Sequence, residues 1–154
     1  VDHNGPTALI LSRQTVLSVT DGSAVATGAG VVRDCEGKPT IILVGTGSEV
    51  GLCVTAATEL SKTGEKCRVV SMPSWDRFER LTKDQQQEIF PKNIPVLSVE
   101  AGVTMGWERY ADQTIGINRF GTSAPGAIAL EKLGISLEAV VQASKSLIND
   151  FKTQ

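Results

Sequence analysis

The feature that most limits this chain is an alternation. Short apolar, β-branched runs stop at glycine or a capping residue, and most hand over to segments whose apolar positions recur with helical spacing. "TIILVGTG" (40–47) is the clearest run, and Ser48 stands after it where a helix N-cap belongs. Val50, Cys53, Val54, Ala57 and Leu60 then keep one helical face until Gly64, a C′ residue. "CRVVSM" (67–72) follows as a strand, and Pro73-Ser74 starts a helix. Thr82 with Gln85 forms a capping box for a short helix that Pro91 must end. "PVLSVEAG" (95–102) and "TIGINRF" (114–120) read as further strands. Ser136 caps a last helix with Leu137, Val140, Val141, Leu147, Ile148 and Phe151 near one face. This order predicts an α/β fold with a mostly parallel sheet and helices on both faces.

The leading part is harder to place. "TALILSRQT" (7–15) holds the apolar run Leu9, Ile10, Leu11, the signature of a buried first strand, and then turns abruptly to Ser12 and Arg13. An arginine at a strand end either covers the surface or points into a site. The stretch "TVLSVTDGSAVATGAG" (15–30) is small, polar and glycine-bearing with no sustained period, and reads as a long surface loop.

Length and composition suit one domain over 1–154: 41% of the residues are hydrophobic and 21% charged. A formal charge of -2 with lysines scattered among acids leaves no basic stripe for nucleic acid and no polybasic segment for a membrane surface. No apolar run approaches the roughly 20 residues of a membrane helix. Cys35, Cys53 and Cys67 are widely spaced with no C-x-x-C pair, and read as reduced thiols of an intracellular protein. The opening "VDHNGP" lacks an initiator Met, which suggests a piece of a longer polypeptide with any targeting signal upstream.

Candidate chemistry is sparse. "GTGSEV" (45–50) is a glycine turn at a helix start, where backbone N–H groups and the helix dipole can hold an anion. It matches neither common phosphate-loop pattern, and Glu49 places negative charge where phosphate would sit, so an ordinary cap with Glu49 satisfying the dipole is the competing reading. Glu100 follows a strand at the edge where open α/β sheets keep ligands, and is otherwise a structural hydrogen-bonding or domain-contact residue. Trp107 and Phe120 are candidates for an interface or for buried packing. His3, without a partner, is read as solvated. No nucleophile elbow, carboxylate pair or metal-ligand cluster emerges, so the chain does not look like a complete enzyme.

The motifs "GPTALILSRQ" (5–14), "IILVGTGSEV" (41–50), "RVVSMPSWDRF" (68–78), "VEAG" (99–102) and "GINRFGTSAPG" (116–126) closely resemble, in order, the C-terminal third of transketolase. The resemblance implies a three-layer α/β/α sandwich around a five-stranded, mostly parallel sheet whose first strand is antiparallel, with residues 1–6 a tail from an upstream pyrimidine-binding domain. It implies transfer of a two-carbon ketol unit between sugar phosphates in the pentose phosphate or Calvin pathway, with thiamine diphosphate and Mg2+ (or Ca2+) held by upstream domains of a homodimer in cytoplasm or plastid. It carries over one site residue, Arg13 of "SRQ", as the substrate-phosphate anchor, and no catalytic, cofactor-binding or metal-binding residue. After "SRQ" many members continue with an Asn-Leu-Pro-like segment, whereas Thr15-Val16-Leu17 follows here. The isolated chain is therefore expected to be inactive. Two alternatives stand beside this reading: an anion- or nucleotide-binding regulatory module, and the equivalent domain of a 2-oxo acid dehydrogenase β-subunit or deoxyxylulose phosphate synthase. "SRQ" with "RFGTSAP" favours transketolase.

Overall fold

Ile41–Gly45 (β2), Cys67–Ser71 (β3) and Val96–Val99 (β4) form the parallel centre of a five-stranded sheet. The computed structural model describes residues 4–11 and 15–153. Strand order is β1-β3-β2-β4-β5, with Gly30–Arg33 (β1) antiparallel on β3 and Gln113–Ile115 (β5) parallel on β4. The β2 side chains are buried on both faces, which is why these strands read as unbroken apolar runs.

Each face has its own core. Glu49–Ser61 (α2) and Leu137–Lys152 (α6) cover one, where Ile41, Leu43, Cys53, Leu60, Val69, Leu97, Val140 and Ile148 pack together. Trp75–Glu79 (α3), Lys83–Ile89 (α4) and the 3-10 turn Trp107–Arg109 cover the other, over Ile42, Val44, Val70, Met72, Phe78 and Trp107. The result is a three-layer α/β/α sandwich. No helix of the described residues is long and apolar enough to cross a membrane.

Apart from Ser48, which makes no cap bond, the helix signals from sequence hold in detail. Ser74 and Ser136 accept from the backbone N–H groups of Arg77 and Ala139, and Thr82 with Gln85 closes a full capping box. Gly64, at φ +88°, ends α2: its N–H donates to the Ser61 carbonyl, and that of Glu65 reaches back to Leu60. That is the Schellman closure.

Three readings are corrected, and one helix was not anticipated. The run Leu9–Leu11 is not a strand, and its side chains are 79%, 93% and 76% exposed. A strand needs a free sheet edge as well as an apolar face, and the edge of β3 is taken by Gly30–Arg33. Second, the loop reading of 15–30 is wrong at its end, where Ala24–Thr27 (α1) makes one helical turn and Gly30 already belongs to β1. Gly28 permits this packing: at φ +84°, a Cβ there would lie 2.3 Å from both the Phe78 nitrogen and the Ser74 carbonyl oxygen. Third, the strand expected over 114–120 stops at Ile115. At Gly116 the chain bends so closely over the β4 loop that a Cβ would sit 2.7 Å from Thr104, and Ile117 N–H then donates to the Gly102 carbonyl at 2.7 Å. The unanticipated helix is Gly126–Lys132 (α5), which the glycine- and proline-rich surroundings concealed.

Candidate functional site

β2 crosses over to β3 on one side, and β4 lies on the other side of β2, so the sheet's topological switch point falls between β2 and β4. The crevice outside the carboxyl ends of such strands is where open α/β sheets bind ligands. Gly45 pairs with Val99 in the last row of this strand pair, so "GTGSEV" and "VEAG" meet there. A Cβ on Gly45 would approach the Glu49 backbone and the Cys53 sulfur to 3.2–3.3 Å, which explains why the strand-to-helix turn opens on glycine.

Two carboxylates stand at this edge. Glu49, only 6% exposed, begins α2. Its Oε1 accepts from the Ser48 hydroxyl at 2.6 Å. Ser48 therefore occupies the cap position without capping; its backbone is helical and its side chain makes no cap bond. Glu100 is held by its backbone N–H donating to the Ile115 carbonyl at 3.0 Å. Burial raises its pKa above the usual carboxylate value, the charge of Glu49 adds to the rise, and a hydrogen bond from Trp107 opposes it. The helix start thus already holds a carboxylate, with a second beside it, and an incoming anion would meet like charge.

The remaining candidates separate. Trp107 is buried and packs edge-on against Trp75, with ring centroids 5.2 Å apart. Phe120 is 96% exposed and, with Met105 and Val103, leaves apolar groups uncovered near this end of the sheet. Arg13 and His3 lie outside the described residues. What the sequence reading missed is the convergence of Glu49 with Glu100, and an open hollow of about 490 Å3 between α3, α4 and the 3-10 turn. There Glu79 accepts from both Arg109 and Tyr110. Alternating aromatics in "PSWDRF" and "MGWERY" were the only signal for that cluster. Among the described residues, no three histidine, cysteine or carboxylate side chains converge as a metal requires.

The fold and its ligand-type edge define an α/β module of the doubly covered, switch-point kind. Comparison with known proteins makes this specific. Residues 28–136 match the family described as "Transketolase-like TK C-terminal domain". The chain belongs to that family. It is 42% identical over 152 residues to a transketolase of Nostoc sp., covering 95% of this chain and 23% of that protein. Among solved structures, a transketolase from Leishmania mexicana superposes with a TM-score of 0.83 at 38% identity, over 87% of this chain and 20% of the other. A transketolase from Pichia stipitis, in complex with sedoheptulose-7-phosphate, superposes with a TM-score of 0.83 at 30% identity, over 90% and 20%. The chain spans about a quarter of the length of the curated relatives it matches.

Proposed function

We propose that the polypeptide carrying this domain transfers a two-carbon ketol unit from a ketose phosphate to an aldose phosphate, as in the pentose phosphate or Calvin pathway. In this reading thiamine diphosphate and a divalent metal are held by other domains, and the working form is a homodimer in cytoplasm or plastid. The family match across 28–136 carries the reading. The sugar phosphate bound by the Pichia stipitis relative supports the substrate class. The exposed Leu9, Ile10 and Leu11 fit a segment that the rest of the polypeptide, or a second copy, covers.

This domain's own contribution is Arg13. A planar guanidinium meets phosphate oxygens with two parallel, charge-assisted hydrogen bonds, a fork that lysine lacks. Anchoring a phosphate several bonds from the reacting carbon spends remote binding energy on orientation. Losing such a contact costs roughly 1.5–3 kcal/mol, or about ten- to a hundredfold in kcat/KM. In the full-length enzyme, Arg13→Ala should lower kcat/KM for phosphorylated sugars by that factor and leave unphosphorylated donors near wild type, with Arg13→Lys recovering part of the loss. Equal impairment of both substrate kinds in a folded protein would remove Arg13 from the phosphate site.

A further inference from the structure

The β1/β3 register, continued past its last ladder pair, leads from Arg33 and Val69 to Cys35 and Cys67. Gly30 pairs with Ser71 and Val31 with Val70; an irregularity then shifts the register, and Arg33 pairs with Val69. Two residues further along each chain, the shifted register sets Cys35 opposite Cys67. An ion pair beyond the last ladder pair keeps the chains on this line. Both carboxylate oxygens of Asp34 accept from the Arg68 guanidinium, at 3.0 and 2.8 Å.

The side-chain alternation agrees. Arg68 also donates to the Glu88 and Ile89 carbonyls at the end of α4, so Asp34 and Arg68 share that face. Arg33 reaches the opposite face, donating to the Val54 carbonyl and Thr58 hydroxyl of α2, and Cys67 is packed in the α2/α6 core. A period of two then places both thiols on the α2 side. Opposed residues of an antiparallel pair have Cα atoms about 4.5–5.5 Å apart, inside the span of about 4.4–6.8 Å that a disulfide needs.

From this juxtaposition we propose that Cys35 and Cys67 are a reversible disulfide couple, formed by exchange with a small-molecule disulfide of the glutathione type. Cys35 is the half-exposed partner. Its thiolate attacks one sulfur of the small disulfide, giving a mixed disulfide and releasing one thiol. Cys67 then attacks the Cys35 sulfur, closes the protein disulfide and expels the second thiol. The protein loses two electrons and two thiol protons, and the small disulfide gains both as two thiols. Burial, with the nearby charges of Glu65 and Cys35 and against that of Arg33, pushes the Cys67 thiol up to about 12, so little of it is thiolate; the external disulfide is met by Cys35, and Cys67 reacts only because the opposed mixed disulfide is held beside it. Cys53 is out of reach. Its sulfur sits by Gly45, while Cys67 pairs with Ile41, four residues or about 13 Å away along β2.

The proposal does not depend on the ketol-transfer reading, and its test needs no activity assay. The full-length polypeptide with Cys53→Ala is incubated with oxidised glutathione, its free thiols are alkylated, and it is digested with trypsin. Lys38 precedes Pro39, so Cys35 travels in peptide 34–62, while Cys67 leaves as Cys67-Arg68. The expected result is a 34–62/67–68 crosslinked species, with both cysteines protected from alkylation together. Dithiothreitol and the Cys35→Ser variant should each abolish it. Glutathione retained on Cys35 with Cys67 still alkylated, or both thiols alkylated with no crosslinked species, would overturn the proposal.

Discussion

Leu9–Leu11 and Ile41–Val44 are nearly the same signal in sequence, and they meet opposite fates. Ile41, Ile42, Leu43 and Val44 are fully buried between two helical layers, all paired with β3 and, from Ile42 onward, with β4 as well. Leu9, Ile10 and Leu11 have no ladder and stand in solvent. An apolar run states that cover is needed; whether this domain supplies it depends on which sheet edges are free. The same lesson recurs at smaller scale, between Ser74 and Ser48 as helix starts, and between Asp34 and Glu100 as carboxylates.

The largest effect should separate the two runs. Leu43→Ala removes buried side-chain atoms from a core that can only partly relax, and should cost about 2–5 kcal/mol by urea denaturation. Ile10→Ala in the same chain should fall within about 0.5 kcal/mol. Comparable losses would mean that the leading segment is packed after all. Repeating Ile10→Ala in the full-length polypeptide sharpens the contrast, because a cost that appears only there reports cover from outside the domain.

The two serines come next. Asp caps a helix about as well as Ser, so Ser74→Asp should be nearly neutral. Ser48→Asp replaces the hydroxyl that donates to buried Glu49 with a second negative charge, and should cost about 1–3 kcal/mol in thermal or urea melts. Equal effects would restore Ser48 as an ordinary cap.

The smallest effect concerns pH. The Arg68 hydrogen bond holds Asp34 below its ordinary 3.8, so its stabilisation is present above that value and is lost as acid protonates the folded form. Asp34→Asn should therefore destabilise at neutral pH, by about 0.2–1 kcal/mol for a half-exposed pair, and the difference should vanish in strong acid. Glu100 has the opposite sign. Its folded pKa lies above the ordinary 4.5, so the unfolded chain loses the proton first and stability falls as pH rises through that window. Glu100→Gln should consequently gain stability relative to wild type as pH rises. Parallel pH profiles for the two variants would break the contrast.

Much of the architecture was legible because its signals are local. Thr82 with Gln85, Ser136, Gly64 and the face Val50-Cys53-Ala57-Leu60 act through hydrogen bonds and periodicities spanning about four residues, so neighbouring residues suffice to state them. The three central strands were legible for a related reason, since burial on both faces leaves no polar alternation to confuse the pattern.

Tertiary structure alone decided which segment became the antiparallel strand. Gly30–Arg33 is short and irregularly paired, and it gains its place through Gly28 closing α1 onto α3 and through a bond network with residues far along the chain. Tertiary structure alone also brought Glu49 beside Glu100 and set Cys35 across from Cys67, pairs separated by 51 and 32 residues in the sequence. Such meetings follow from strand order and register. Those depend on the free energy of packing the whole sheet between its helices, a quantity that no window of neighbouring residues contains.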